Sequence, residues 1–345
     1  MGCLSLSTSG TSITELSIRF SQFKLAGPFI RSMKVLVSTS TFCEFDRTPL
    51  EKLKACGFEV LLNPYARRLK PQESVELLQG VHGLIAGTEL LNCEVLSKAS
   101  SLKVISRCGV GMDNVDLAAA KELGIEVVST PIAPTEAVAE LTLGLMIALT
   151  RRVVEADHLV RRGNWKPLMG SLLEGKTLGV IGLGRIGKRL TQLVQPLRMS
   201  VLAHEPLPDS GFVSQHQVRL VSLEELLAQA DIVSLHVALT AETRHLIRRE
   251  TLGLMKSNAL VINTSRGDVV DEAALLEALE ASRIGGAALD VYREEPYQGP
   301  LTENKKVILT AHMGSYAKEA RVQMEGEAVD NLVHLLSPSA ATSIS

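Results

Sequence analysis

Short apolar runs rich in β-branched residues alternate with amphipathic helical segments from Met33 onward. Strands that alternate with helices at this spacing form a parallel sheet covered on both faces. The pattern predicts a first α/β unit that ends near Pro131. Its predicted strands are residues 34–38, 59–62, 83–85, 104–106 and 125–128, with helices such as 49–56 and 114–123 between them.

A second and more regular series follows a long helical stretch predicted over residues 135–163. A final helical segment over 318–336 has no strand after it, so we expect it to return and cover the first unit. The sequence therefore predicts two doubly wound α/β domains, the first assembled from both ends of the chain. The strands predicted for the second are 177–181, 200–203, 232–236, 259–263, 286–289 and 307–309.

Composition argues against several classes of protein. Lys and Arg number 36 against 38 Asp and Glu, without the basic stripe that binds a phosphate backbone, so no nucleic acid partner is expected. The longest apolar stretch, residues 141–149, falls short of the roughly 20 residues that a membrane span needs, which predicts a soluble protein. The cysteines show neither CxxC nor paired spacing, so we expect a reducing cytoplasm and no metal site. They are Cys3, Cys43, Cys56, Cys93 and Cys108.

The first 32 residues differ from the rest, being rich in Ser and Thr and poor in acidic residues. We interpret them as a disordered leader or as sequence upstream of a start at Met33. A transit peptide stays an alternative, because such segments share this composition.

The segment KTLGVIGLGRIG, residues 176–187, reads as a buried strand, a glycine-rich turn and the start of a helix. Gly182 permits a tight turn, Gly184 lets a pyrophosphate approach the backbone, and Gly187 lets the helix pack on the strand. The helix N-terminus then offers free N–H groups to the phosphates. This context predicts a dinucleotide site.

An acidic residue, Glu205, follows the next predicted strand about 20 residues beyond the glycines. A carboxylate there accepts hydrogen bonds from the adenosine ribose and repels a 2′-phosphate, so Glu205 favours NAD over NADP. The alternative is an ordinary surface glutamate at a strand end.

Three polar residues follow three strands of the second series, and the tips of parallel strands share one sheet edge. Arg266 lies in the run NTSRG, Glu295 in DVYREEP and His312 in LTAHMG. Reduction of a keto acid needs a cation for the carboxylate, a proton donor that titrates near neutrality, and a group that orients the donor. Each residue alone also has an ordinary structural explanation.

Several ordered blocks together resemble the D-isomer-specific 2-hydroxyacid dehydrogenases over about residues 33–336. The blocks are RCGVGMDNVD, GLGRIG, SLHVALT, NTSRG with DVV, and ALDVYREEP. The resemblance implies a flavodoxin-like substrate-binding domain over 33–131 plus 311–336 and a Rossmann NAD-binding domain over 132–310. It also implies a homodimer formed through the 135–163 segment, and a small 2-hydroxy or 2-keto acid as substrate.

The resemblance further implies roles for individual residues. Arg266 binds the substrate carboxylate and carbonyl, His312 is the acid/base, and Glu295 orients it. Backbone amides at Gly109 and Val110 cradle the substrate carboxylate. The implied cofactor contacts, besides the glycines of the turn and Glu205, are Arg185, Ile186, His236, Thr243, Thr264, Asp290 and Gly314. For His236, packing beside the cofactor is as acceptable an interpretation as direct contact.

One departure bears on the substrate. The phosphoglycerate branch carries an arginine after the strand near residue 85, whereas this sequence has Ala86-Gly87-Thr88. Glyoxylate or hydroxypyruvate thus becomes a reasonable substrate, with phosphoglycerate still open. A non-enzymatic NAD-binding scaffold, like the C-terminal-binding-protein corepressors, also stays open, while Glu295 argues against a formate dehydrogenase, where glutamine is typical.

Overall fold

A computed structural model describes residues 33–337 of the chain. The leader predicted over residues 1–32 lies outside the described residues. Within 33–337, no helix combines the length and apolar character needed to cross a bilayer.

The first sheet contains five parallel strands, in the order β2-β1-β3-β4-β5. This is the order of flavodoxin-like doubly wound sheets. The strands are β1 (Lys34–Val37), β2 (Glu59–Leu62), β3 (Gly83–Ala86), β4 (Val104–Arg107) and β5 (Glu126–Ser129). The connecting helices are α1 (Thr48–Ala55), α2 (Pro71–Leu77), α3 (Cys93–Ser97) and α4 (Leu117–Glu122).

The long helix predicted over 135–163 is two helices, α5 (Pro134–Thr150) and α6 (Val153–Arg161). The break falls at Arg152, which adopts a left-handed backbone with φ of 55°. A helix end with a left-handed backbone is usually recognised in a sequence by Gly or Asn, so an arginine there gives no indication of it. The prediction of one continuous helix was therefore wrong.

The second sheet contains seven parallel strands, in the order β12-β11-β10-β9-β6-β7-β8. When the sheet is read from its β8 edge and β6 is counted as strand 1, its first six strands have the order 3-2-1-4-5-6, which is that of a Rossmann fold. The strands are β6 (Thr177–Ile181), β7 (Ser200–His204), β8 (Arg219–Leu220), β9 (Ile232–Leu235), β10 (Leu260–Asn263), β11 (Gly286–Leu289) and β12 (Val307–Leu309). The helices between them are α7 (Arg185–Val194), α8 (Ser210–Gln215), α9 (Leu223–Gln229), α10 (Arg249–Leu252) and α11 (Glu272–Glu280).

The last helix, α12 (Lys318–Leu336), packs on the first sheet. Leu332 and Leu336 lie so close to Gly83 of β3 that a Cβ there would come within 2.8–3.0 Å of their methyl groups. Each such buried leucine contributes about 1.5–3 kcal/mol through removal of apolar surface from water. The predicted fold class of two doubly wound α/β domains is confirmed, including the return of the C-terminal helix.

The inner strands of the second sheet end in register. Asn263 at the end of β10 pairs with Leu235 of β9 and Leu289 of β11, and Leu289 pairs with Leu309 of β12. The residues that follow these strands must therefore leave the sheet along one edge.

Candidate active site

The turn between β6 and α7 has room for glycine alone at two positions. Gly182 has φ of +93°, and a Cβ there would lie 2.6 Å from the carbonyl oxygen of His236. A Cβ at Gly187 would lie 2.2 Å from the carbonyl oxygen of Gly182. Gly184 instead borders open space and precedes the first residue of α7. The first N–H groups of this ten-residue helix thus face an open position suited to a phosphate.

Glu205 follows β7 and braces the same turn. One carboxylate oxygen accepts a hydrogen bond from the Leu183 N–H at 2.8 Å, and the other from the Leu207 N–H at 3.1 Å. Because each oxygen has a second lone pair, the carboxylate retains capacity for ribose hydroxyls. Glu205 therefore has a structural role in the turn, and its contact with the ribose stays a prediction.

A cleft of about 960 Å³ runs between the strand tips of both sheets. It brings together all three candidates for chemistry, which come from separate loops of the chain. The predicted site residues that line it are Gly109, Val110, Ile186, His236, Thr264, Arg266, Asp290, Glu295, His312 and Gly314. Those outside its lining are Gly182, Gly184, Arg185, Gly187, Glu205 and Thr243.

His312 and Glu295 form a hydrogen-bonded pair at the cleft. The Nδ1 atom of His312 lies 2.8 and 3.0 Å from the two carboxylate oxygens of Glu295. Burial opposes ionisation of Glu295, but the hydrogen bond and the charge of His312 outweigh it, so the pKa of Glu295 lies below its ordinary value. With Nδ1 held by the carboxylate, Nε2 is the ring atom available for proton transfer.

The loop that carries His312 is fixed by Asp290, which follows β11. The His312 N–H donates to the Asp290 carbonyl oxygen at 2.8 Å. The buried Asp290 carboxylate accepts from the N–H groups of Met313 and Gly314 at 2.9 and 2.8 Å, and from the Thr310 hydroxyl at 2.6 Å. Asp290 thus positions the imidazole, a role that its place at a strand end did not reveal.

Arg266 reaches across the cleft to Asp113 of the first unit. Both Nε and Nη2 lie 2.8 Å from the same carboxylate oxygen, while Nη1 donates to the Ser265 carbonyl at 2.6 Å. Burial would raise the pKa of Asp113, but the Arg266 hydrogen bond and charge lower it overall. Asp113 was not among the predicted site residues, although it lies in the RCGVGMDNVD block.

The loop after β4 offers backbone amides beside Arg266. The Gly109 N–H is already engaged by the Thr130 hydroxyl at 2.8 Å, with the Arg107 carbonyl at 3.0 Å. Within residues 33–337 the Val110 and Gly111 N–H groups donate no hydrogen bond. The Gly109 N–H is therefore occupied within the protein, whereas the Val110 N–H is not, and the substrate cradle at Gly109 and Val110 stays a prediction.

Gly111 was also not among the predicted site residues, and the absence of a side chain there leaves space for the Arg266 guanidinium. A Cβ there would lie 1.4 Å from Nη2 of Arg266. Any side chain at this position would displace the guanidinium, so the glycine keeps cation and free amides side by side.

The remaining predicted contacts fall into two groups. His236 and Thr264 line the cleft; Nε2 of His236 lies 2.9 Å from the Ser234 hydroxyl, and the Thr264 hydroxyl lies 3.0 Å from that of Thr142. Burial lowers the pKa of His236 to about 4, so its ring is neutral. The Thr243 hydroxyl donates to the Ala238 carbonyl at 2.6 Å and braces a loop outside the cleft lining. Its cofactor contact stays a prediction.

A Rossmann-type sheet with a dinucleotide turn, facing an arginine and a histidine–carboxylate pair, defines a nucleotide-dependent oxidoreductase. Residues 143–314 match the model of the D-isomer specific 2-hydroxyacid dehydrogenase NAD binding domain. Glyoxylate reductase of Aeropyrum pernix is 43% identical over 71% of this chain and 77% of its own length. The chain belongs to the D-isomer specific 2-hydroxyacid dehydrogenase family, and its cofactor is NAD.

Two further comparisons agree with this family. D-3-phosphoglycerate dehydrogenase of Methanocaldococcus jannaschii is 41% identical over 78% of this chain, which spans 55% of that relative's length. The crystal structure of the TT0316 protein from Thermus thermophilus superposes with a TM-score of 0.82 at 39% identity, covering 89% of this chain and 99% of that one.

Proposed function

We propose that this chain reduces small 2-keto acids to D-2-hydroxy acids with NADH, and catalyses the reverse oxidation. The observation that supports this most directly is that Arg266 and the hydrogen-bonded His312–Glu295 pair line the same cleft. Family membership and relatives named as reductases and dehydrogenases favour an enzyme over the scaffold alternative.

The residues of the second domain fit the dinucleotide. The turn at Gly182, Gly184 and Gly187 would hold the pyrophosphate, with Arg185 and Ile186 at the helix start, and Glu205 would bind the adenosine ribose. When bound, the nicotinamide supplies the hydride for C2 of the keto acid or accepts it from the hydroxy acid.

The protein's own groups supply the rest of the chemistry. Arg266 would hold the substrate carboxylate and polarise the carbonyl, with the amides of Val110 and Gly111 as further donors. Nε2 of His312 would give a proton to the carbonyl oxygen in reduction and take it back in oxidation. The Glu295 carboxylate fixes the ring and stabilises the protonated imidazole.

The substrate is tested with a panel of glyoxylate, hydroxypyruvate, phosphohydroxypyruvate, pyruvate and 2-oxoglutarate, each with NADH. We expect NADH oxidation with at least one of them. A purified, folded enzyme that binds NADH and turns over none of the five would contradict the proposed function.

The domain bounds also belong to this proposal. We assign 33–131 plus 311–336 to the substrate-binding domain and 132–310 to the NAD-binding domain, supported by the two sheets and the packing of α12. A cytoplasmic location is proposed from the absence of paired cysteine spacing in the sequence.

Glu205 gives a prediction for cofactor preference. We expect kcat/KM with NADH to exceed that with NADPH, because the carboxylate repels a 2′-phosphate. Glu205→Gln should lower the ratio of kcat/KM for NADH to that for NADPH by about tenfold, equivalent to roughly 1.4 kcal/mol. The turn should be kept, because the glutamine amide oxygen can still accept from the Leu183 N–H. Steady-state kinetics with both cofactors measure the ratio, and an unchanged ratio would remove Glu205 from this role.

The proposed homodimer has a testable surface after α6. Trp165 is 90% exposed and Met169 is 89% exposed in the single chain, and both follow directly after the 135–163 segment through which the dimer is predicted. We expect Trp165→Asp with Met169→Asp to convert a dimer into monomers in sedimentation velocity. Leu207→Asp is the matched control, since Leu207 is 89% exposed elsewhere. A wild-type monomer, or a double variant that stays dimeric, would refute this interface.

A further inference from the structure

The loop between β2 and α2 lies at the edge of the cleft and is tied by hydrogen bonds of its own. The Asn63 side-chain amide donates to the carbonyl oxygens of Ser38 and Arg67 at 2.7 and 2.8 Å. Arg67 forms a two-point ion pair with Glu73 at 2.7 and 2.9 Å, and its hydrogen bonds lower the pKa of Glu73 to about 2. The Arg67 guanidinium is therefore used within the loop and is not available to a ligand.

The next residue, Arg68, has no comparable partner among the described residues. Its side chain lines the cleft together with Glu295 and His312, although it comes from the first domain and they follow strands of the second. Within residues 33–337 the Arg68 guanidinium makes neither a hydrogen bond nor an ion pair. Its charge nevertheless contributes to the lowered pKa of Glu295, which is consistent with a position near the catalytic pair.

Three other arginines line the cleft, and each has a partner. Arg266 pairs with Asp113, and Arg321 pairs with Glu325 at 2.8 Å. Arg107 is buried and donates to the Cys108 carbonyl oxygen. In the described part of the chain, Arg68 is thus the cleft arginine that no protein group engages, and it is separate from Arg266, which would hold the substrate carboxylate. A guanidinium binds phosphate or carboxylate through two parallel hydrogen bonds.

No arginine follows β3 in this chain, although the phosphoglycerate branch carries one there. The space beside Gly87 is already occupied in the structure. A Cβ at Gly87 would lie 2.9 Å from Oε2 of Glu89, so a longer side chain there would have to displace that carboxyl. Glu89 is held by the Ser38 hydroxyl and by the Gly87 N–H at 3.2 Å. Burial raises the pKa of Glu89 and favours its neutral form, which reduces its repulsion of an anion in the cleft.

We infer that Arg68 binds a second anionic group of the substrate, at the end remote from the carboxylate held by Arg266. The substrate class is then a 2-keto or 2-hydroxy acid that also carries a phosphate ester or a second carboxylate. This inference rests on the proposed function and adds a specificity-determining residue to it.

The test compares kcat/KM values of wild type and Arg68→Gln for four keto acids. Phosphohydroxypyruvate and 2-oxoglutarate carry a second anion, whereas hydroxypyruvate and pyruvate do not. We expect wild type to prefer one of the first two, which identifies the anion as phosphate or carboxylate. Arg68→Gln should reduce that preference by at least about tenfold, the size expected for a lost charge-assisted hydrogen bond, and Arg68→Lys should restore part of it.

Lys98→Gln is the charge-matched control. Lys98 is exposed in the same domain and pairs with Glu94 at 2.9 Å, outside the cleft lining. We expect this variant to keep the wild-type preference.

Equal losses for all four substrates in Arg68→Gln would mean that Arg68 acts through Glu295 and His312, and would overturn the inference. Similar wild-type kcat/KM values for keto acids with and without a second anionic group would also overturn the inference, but would leave the proposed function intact. A wild type inactive on all four and on glyoxylate would refute both.

Discussion

His312→Ala is expected to lower kcat for keto-acid reduction by at least about a hundredfold, the usual contribution of a positioned general acid. The variant loses the group whose Nδ1 is held 2.8 Å from Glu295 and whose Nε2 would protonate the carbonyl oxygen. NADH affinity should stay nearly unchanged, because the turn at Gly182–Gly187 that would hold the pyrophosphate is untouched. Stopped-flow or steady-state kinetics and NADH fluorescence titration measure the two quantities separately.

His334→Ala provides the control for this prediction. His334 is exposed on α12 and lies outside the cleft lining, so its removal should leave kcat unaltered. An unchanged kcat in His312→Ala would remove His312 from the role of acid and base. A parallel loss of NADH affinity would instead mean that the substitution disturbs the cofactor site.

Glu295→Gln should have a smaller effect than His312→Ala, because the imidazole remains and only its charged partner is lost. The pKa of Glu295 is lowered, so its carboxylate stays ionised near neutrality and stabilises a protonated His312. This stabilisation is present above the ordinary pKa of a glutamate and is lost as the pH falls through the lowered value. Asp290, which holds the same loop through three accepted hydrogen bonds, acts on the geometry of His312 rather than on its charge.

The sequence predicted most of the sheets because each strand is a short apolar run bounded by polar or glycine residues. The bounds of β2, β6, β11, β12 and α12 agree with the structure, and most other strands differ by one residue at an end. The edge strand β8 was missed, since Arg219 and Leu220 are both exposed and too few to form a pattern. The break at Arg152 was missed because its left-handed backbone has no mark in its residue type.

The candidate site was predictable where residues follow strands, as Arg266, Glu295 and His312 do. Its interdomain contacts were not predictable in this way. Asp113 and Arg266 are separated by 153 positions, and their pairing depends on how the two domains face each other. No local period or turn signal encodes such a contact, and the same holds for the approach of Arg68 to the catalytic pair.

Arg266→Gln is expected to lower kcat/KM for keto acids by about 100- to 1000-fold, comparable to the loss of a donor that stabilises developing negative charge. The guanidinium is unusually constrained: Asp113 and the Ser265 carbonyl hold it, and Gly111 leaves room for it beside the free amides. The substrate carboxylate and carbonyl oxygen would bind on the side that these contacts leave open. Losses in both KM and kcat are expected, since the same group binds the acid and polarises its carbonyl.

Arg266→Lys distinguishes charge from geometry at this position. Lysine keeps the positive charge but lacks the planar fork, so it should recover only a minor part of the lost kcat/KM. Arg198→Gln is the matched control, because Arg198 is exposed and pairs with Glu174 at 2.8 Å away from the cleft. Full activity in Arg266→Lys would show that the fork is unnecessary. Activity retained in Arg266→Gln would mean that the Val110 and Gly111 amides hold the carboxylate without it, and the cleft would then need a different cation to polarise the carbonyl.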